Sequence, residues 1–270
     1  MAKNPDVLGL RNIGATLDTM AGEVEERRES VNGILCRYYA LSHRDVNVSA
    51  LRTAIEGDEF NDLAQIDARG DIDDVSVDFV RRNIRGDVSR RLECGCGSGR
   101  LIPKGIYAHH YCEPSYSMIR GLTQTIQDFW PEDLEKPEVH CAVTECIPIE
   151  DSTMDTVIFM NGFFQVRSDY ESLIEINRVL TLGGHFVFNI LTDDSMDIIC
   201  GRVLGLYNYV RVVKEFGFEP VEVRDNGHLC FRKATDFHPE MLRKLQFVKS
   251  ESSDLYRLRN FYAPRDGHLL

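Results

Sequence analysis

The chain has 270 residues, 43% hydrophobic and 27% charged, with a formal net charge of -12. That length supports one large domain or a domain with an appendage, and the composition is that of an ordinary globular protein. The acidic balance, with a pI of about 5.1, argues against a nonspecific nucleic-acid binder, which carries a basic footprint. No apolar run approaches the roughly 20 residues that cross a bilayer. The opening MAKNPDVLGLRNIG lacks the charged-then-apolar layout of a secretory signal, so the expected location is the cytoplasm, away from membranes.

From Ile13 to Leu41, apolar residues fall at Leu17, Met20, Val24, Val31, Ile34, Leu35 and Tyr38. That spacing predicts an amphipathic helix with EVEERRES on its polar face. The acidic stretch from Glu56 to Asp78 is broken by Gly57 and Gly70 and predicts short helices and loops. Together these predict an N-terminal helical cap over residues 1–85.

From about Val88 the pattern changes to strand–helix alternation. VSRRLEC, IYAHHYC, EVHCAV, MDTVIFM and GHFVFNIL read as five strands, and MDTVIFM is an apolar run suited to burial on both faces. SYSMIRGLTQTIQDFW reads as a helix stopped by Pro131. SDYESLIEINRVL reads as a second, opened by a Ser168/Glu171 capping box and closed by a left-handed turn at Gly183-Gly184. A further helix is expected around Val203 to Phe216. Then FEPVEVRDNGHLCFRKA sets Asn226-Gly227 between two alternating runs, a strong hairpin signal. The predicted class is α/β over residues 86–235: a seven-stranded, mostly parallel sheet with helices on both faces and a C-terminal antiparallel hairpin. Residues 236–270 are expected to form a helical extension.

The chemical signal is Glu93-Cys94-Gly95-Cys96-Gly97-Ser98-Gly99. A strand runs into a loop with glycine at alternate positions. Glycine lets the backbone turn tightly and a ligand approach it closely, and the carboxyl end of a central strand is where open α/β sheets bind ligands. A dinucleotide fingerprint would require a third glycine where Arg100 stands, and no phosphate-loop motif is present. Glu93 before the loop suits a ligand bearing an ammonium group.

ECGCGSG resembles the first motif of class I S-adenosylmethionine (SAM)-dependent methyltransferases. The resemblance extends over residues 88–232 through CEPSYSMI, ECIPIEDSTMDTVIF, NRVLTLGGHFVF and the terminal hairpin. It implies a Rossmann-like enzyme with SAM as cofactor. By position, Glu93, Gly95, Cys96, Gly97 and Gly99 are expected at the methionine end of SAM. Glu113 is expected at the ribose, with Pro114 and Ser115 nearby and Met118 near the adenine. Thr144, Glu145 and Cys146 are expected at the adenine edge, and Asn161 and Gly162 beside the sulfonium. Bland readings stand beside these: Glu113 as a helix N-terminal acid, Asn161 as a turn residue.

Several positions depart from the family. The gap from Gly99 to Glu113 is short and holds Pro103 and Gly105, which oppose a long helix, so a first helix of one or two turns is expected. Val143 stands where the family often has Asp, and Leu182 where it has Pro. The resemblance implies no universal catalytic residue, and none is assigned. The Pro-Pro-aromatic motif of nucleic-acid amino methylation and the Pro-Cys nucleophile of cytosine chemistry are both absent from the sequence.

The expected acceptor is a small molecule, with nucleic acid disfavoured but left open through the Arg81, Arg82, Arg85, Arg90 and Arg91 cluster. A homodimer is compatible with the sequence. Tyr38 and Tyr39 read equally as a pocket lid or as core, and Tyr207 to Tyr209 is a second lid candidate. Phe163-Phe164 reads as core. No metal site is expected: the eight cysteines form no C-x-x-C pair and read as buried thiols. His109-His110, His140 and His185 read as packed or partly exposed histidines, because no carboxylate stands at metal spacing.

Overall fold

The computed structural model describes residues 25–40, 72–114, 116–163, 169–190 and 206–238. They form one nine-stranded sheet in the order β1-β2-β5-β4-β3-β6-β7-β9-β8. The strands are β1 (Glu25–Val31), β2 (Ile34–Ala40), β3 (Arg91–Cys94), β4 (His110–Cys112), β5 (Glu138–Cys141), β6 (Met154–Phe159), β7 (Leu180–Asn189), β8 (Phe218–Val223) and β9 (His228–Lys233). The helices are α1 (Asp74–Asn83), α2 (Tyr116–Phe129), α3 (Asp169–Val179) and α4 (Leu206–Lys214). Strands β2 through β7 pair in parallel, and β9 and β8 close the sheet as an antiparallel pair. All seven expected strands are present.

The N-terminal expectation fails over residues 25–40. These are not helix but an antiparallel hairpin, β1 and β2, which extends the sheet to nine strands by parallel pairing of β2 with β5. The cause is Asn32-Gly33: both adopt left-handed backbone, at φ 54° and 75°, and Val31 pairs with Ile34 across the turn. That is the two-residue turn whose twist matches paired strands. Burial alternates along β2, with Ile34, Cys36 and Tyr38 in the core. The helical spacing of Val31, Ile34, Leu35 and Tyr38 was therefore a coincidence of two periods. Helix α1 is the described helix within residues 1–85, capped by Asp73, which accepts from the Ser76 backbone N–H at 2.8 Å. The remainder of the expected cap, Ser168 of the expected capping box and the C-terminal extension past residue 238 lie outside the described residues.

Two turns also differ. Helix α3 ends at Val179 and β7 begins at the next residue. Gly183, at φ 84°, instead sits inside β7, where the β6–β7 register shifts. A Cβ on Gly184 would meet the carbonyl oxygens of Thr181 and Asp155 at 3.0 and 3.2 Å, so glycine there lets two strands approach closely. The β8–β9 turn spans three residues: the Arg224 backbone N–H donates to the His228 carbonyl at 2.9 Å, and Gly227 takes the left-handed position at φ 84°.

The pairing register sorts side chains onto two faces. One face carries Cys36, Val139, Tyr111, Glu93, Ile158, Val187 and Cys230, and α2 and α1 cover it. The other is aromatic across β6, β7 and β9, where Phe159, Phe186, Phe188 and Phe231 pack with Phe163 of the β6–α3 loop and with α3 and α4. Phe163 is core, as expected, in edge and tilted contact with Phe159, Phe186 and Phe188. Tyr209 packs against Phe163 and Phe188 and is a core residue rather than a lid.

Candidate active site at the carboxyl ends of the strands

Parallel pairing brings the carboxyl ends of β3, β4, β5 and β6 to one edge of the sheet, and the expected site residues gather there. Strand β3 delivers Glu93 and the glycine loop. The Gly95 backbone N–H donates to the Cys112 carbonyl at 2.8 Å, pinning the loop to β4. Gly95, Gly97 and Gly99 have φ of 55°, 55° and 79°, a conformation that costs other residues about 1–2 kcal/mol. Their surroundings differ. A Cβ on Gly95 would overlap the Phe159 ring, and one on Gly99 would lie 2.7 Å from Leu122 of α2. A Cβ on Gly97 would meet nothing within 4 Å. Gly97 therefore borders open space, where a ligand can reach the backbone.

Beyond Gly99 the chain makes a single 3-10 turn over Ile102–Lys104, with Pro103 inside and Gly105 closing it at φ 74°. The first crossover helix is thus one turn long, within the one or two turns expected.

Two carboxylates border the loop. Glu113 follows β4, and its Oε2 accepts from the Gly97 backbone N–H at 2.8 Å. Glu93 is buried, and that burial raises its carboxyl to about 8, against the lowering pull of Arg100 and with a further push from Glu113. A cation beside Glu93 would restore its ionised form. A buried acid, a second carboxylate 2.8 Å from a loop amide and a cradle open at Gly97 together fit a ligand with an ammonium at one end and hydroxyl donors further along.

Pro114 follows Glu113, and the Cys141 thiol donates to its carbonyl at 3.7 Å; Ser115 lies outside the described residues. Met118 is buried on α2. After β5, Thr144 and Glu145 are buried and Cys146 half-buried in a turn closed by the Cys146 backbone N–H donating to the Val143 carbonyl at 3.1 Å. After β6, Asn161 takes a left-handed backbone at φ 58°. A Cβ on Gly162 would lie 2.5 Å from Phe159, so Gly95 and Gly162 flank the same ring.

Two sets of supporting residues escaped the sequence. Asn189, at the end of β7, accepts from the Asn161 backbone N–H at 2.6 Å and donates its Nδ2 to Asn161 Oδ1 at 2.5 Å. This reciprocal pair locks the turn after β6. Glu175 accepts from the Ile147 backbone N–H at 2.8 Å, and Arg178 donates to the Ile147 and Ile149 carbonyls at 2.6 and 2.7 Å. Together they fasten the segment after Cys146. A Glu–Arg pair three apart on a helix is the signal such a clamp leaves in sequence, but it does not say what is clamped.

Other expectations resolve by position. Tyr38 is buried against the α2 cluster, and β2 is separated from β6 by β5, β4 and β3. Four strand spacings of about 4.8 Å each set it far from Asn161, so Tyr38 and Tyr39 form no lid there. The arginine cluster lies near the amino ends of β3 and β6, opposite the glycine loop. Arg90 pairs with Asp155 at 3.0 Å, and Arg91 donates to the Gly86 carbonyl at 2.5 Å. Arg81 donates to the Lys104 carbonyl, and Arg82 pairs with Glu222 at 3.9 Å. The described cysteines are free, and all but Cys146 are buried; burial raises Cys146 to about 11 and Cys141 to about 12. His185 is packed, its Nδ1 donating to the Asn83 carbonyl at 2.8 Å. His110 and His140, however, meet a carboxylate, Glu138, brought in by strand pairing rather than by sequence spacing. Burial holds His110 down to about 4 and His140 to about 3, so both rings are neutral.

Residues 92–188 match a family described as a methyltransferase domain. No curated protein matches the chain. Among solved structures, the magnesium protoporphyrin IX methyltransferase of Synechocystis PCC 6803 with bound SAH is 12% identical at a TM-score of 0.50, covering 69% of this chain and 99% of that one. A SAM-dependent methyltransferase of Aquifex aeolicus is 14% identical at a TM-score of 0.46, covering 58% and 86%. A 16S rRNA methyltransferase of T. thermophilus in complex with AdoMet and guanosine is 16% identical at a TM-score of 0.41, covering 62% and 40%.

Proposed function

We propose that this chain, whose residues 92–188 form a class I SAM-dependent methyltransferase domain, transfers the methyl group of S-adenosylmethionine to a small-molecule acceptor. The observation that carries the reading is the open cradle at Gly97, bordered by Glu113 on one side and buried Glu93 on the other. The cofactor, when bound, supplies a methyl carbon already activated by its sulfonium. The chain's task is then alignment. Glu93 holds the ammonium end and, through that contact, stays ionised. Glu113 exchanges its bond to the Gly97 N–H for the ribose hydroxyls. Gly95, Cys96 and Gly99 shape the backbone around the methionine portion. Met118, Thr144, Glu145 and Cys146 border the adenine, with Pro114 and Ser115 beside the ribose. Asn161 and Gly162, held by Asn189, face the reacting end. Orientation of two reactants can contribute about 7–11 kcal/mol to such a displacement.

Three features support a small acceptor over a nucleic acid. The chain is acidic overall. The arginines of residues 81–91 are engaged by protein carboxylates and carbonyls. They also lie at the far end of the strands from the glycine loop. Calorimetry of the full chain with SAM tests the cofactor: one molecule bound per chain is expected, with Glu113→Ala weakening it about 10- to 100-fold, as loss of a charge-assisted hydrogen bond implies. No heat at millimolar SAM refutes the reading, and unchanged affinity in Glu113→Ala refutes the ribose assignment. Filter binding to RNA and DNA at low salt tests the acceptor class, and salt-dependent retention would count against a small molecule.

A further inference from the structure

The sheet face that carries the aromatic core changes character at its other end. Across β4, β5 and β2 the side chains on that face are His110, Glu138, His140, Arg37 and Tyr39, in register with one another. Their polar atoms converge. His110 Nδ1 lies 3.3 Å from His140 Nε2, and Glu138 Oε2 lies 3.9 Å from the same nitrogen. One donor atom from each of the three residues falls within 4.8 Å of the other two. Metal–ligand distances of about 2.0–2.1 Å in a tetrahedral site put neighbouring ligand atoms about 3.3 Å apart. The cluster is thus already near the spacing that a shared ion imposes.

We propose that His110, Glu138 and His140 form a binding site for a divalent transition-metal ion of the zinc type, clamping β4 to β5. Two imidazole nitrogens and one carboxylate oxygen select a borderline ion over magnesium or calcium, which prefer all-oxygen shells. The surroundings are arranged as outer partners. Tyr39 Oη lies 3.4 Å from His140 Nδ1, so the hydroxyl can take that ring N–H and leave Nε2 as the lone-pair donor. Arg37 donates to Glu138 Oε1 at 3.0 Å, which orients the carboxylate and keeps Oε2 for the ion. The guanidinium charge opposes a cation, and the one carboxylate offsets it. His109 stacks edge-on against His110 at 4.9 Å between centroids and fixes the ring from outside. Two ligands sit at the strand starts, and His140 carries the carbonyl that accepts from the Glu113 backbone N–H at 3.0 Å. An ion here would steady the strand pair that sets Glu113, and the junction where the N-terminal hairpin joins the sheet, without touching the methyl donor. The site is independent of the function proposed above.

The test uses the full chain stripped with a chelator and titrated with Zn²⁺ against a competing dye, and with Co²⁺ followed by absorbance. One equivalent of zinc is expected per chain. His110→Gln and Glu138→Gln, both at half-buried positions, should each weaken binding at least about tenfold while leaving far-ultraviolet circular dichroism and SAM affinity unchanged. Zinc should raise the melting temperature of the natural chain and not of the variants. The Co²⁺ spectrum should lack a thiolate charge-transfer band, which separates this site from the cysteines. No zinc binding, zinc affinity in either variant equal to that of the natural chain, or a thiolate band would overturn the proposal.

Discussion

Gly95 and Gly97 stand two residues apart in one loop with the same φ of 55°, yet alanine should cost mainly stability at one and mainly ligand affinity at the other. At either position alanine must hold a left-handed backbone, costing about 1–2 kcal/mol. At Gly97 that is the whole cost to folding, because the added methyl meets nothing. At Gly95 the methyl also runs into the Phe159 ring, whose same edge lies against Gly162, and overpacking adds about 1–3 kcal/mol. With about 2–4 °C of melting temperature per kcal/mol for a domain this size, Gly97→Ala should melt about 2–8 °C below the natural chain. Gly95→Ala should melt lower still. Ligand affinity should separate them the other way per degree lost: the Gly97→Ala methyl occupies the open side of the loop, the side proposed for SAM, and should abolish calorimetric binding in a protein that remains folded. Thermal melts without ligand, paired with SAM titrations well below the melting point, measure both. If Gly97→Ala binds SAM as tightly as the natural chain, the open side of the loop is not the ligand's side.

Glu93 ties binding to pH. In the folded chain burial keeps its proton up to about pH 8, while an unfolded glutamate releases it near 4.5. The folded state therefore holds more protons between those values, and this group's contribution to stability declines as pH rises across that window. Denaturant melts at several pH values should show the decline, and Glu93→Gln should remove it. If SAM's ammonium sits beside Glu93, binding below pH 8 should release a proton, seen as a dependence of calorimetric enthalpy on the buffer's ionisation enthalpy; no dependence would separate Glu93 from the ligand. Asn189→Ala leaves the Asn161 backbone N–H without its acceptor and should cost about 1–3 kcal/mol. A double-mutant cycle with Asn161→Gly should be non-additive, and strict additivity would mean that the two asparagines do not act as a pair.

What the sequence made legible was local. Glu93 to Gly99 could be read because a strand, a turn and three glycines fall within eight residues, and backbone geometry is set by neighbours in the chain. Gly97 and Gly95 look alike in that string, however. Only the ring of Phe159, delivered by β6 from more than sixty positions away, makes one a packing glycine, while the other borders open space. The same limit hid Asn189, whose role depends on β7 lying beside β6.

The N-terminal hairpin is obscured in the sequence for a different reason, since its signal is local. Asn32-Gly33 is the same dipeptide as Asn226-Gly227, and both end up in turns between antiparallel strands. At residues 218–233 the flanking residues alternate, and the dipeptide decided the reading. At residues 25–40 the apolar positions fit a 3.6 period as well as a 2.0 period, so spacing alone does not separate helix from strand. The dipeptide is the better discriminator because its physical demand is harder to evade. Two successive left-handed residues cannot lie inside an α-helix, whereas a few apolar residues can fall on a helical stripe by chance. Placing that hairpin also explains why the histidines could not be read. His110 and His140 are thirty residues apart, and Glu138 precedes His140 by two, a spacing that means nothing until β4 and β5 pair in register and Arg37 and Tyr39 arrive from β2. A cluster assembled from three strands carries no motif. It is visible only when the strand order is known, and the strand order at this edge depends on the turn at Asn32-Gly33.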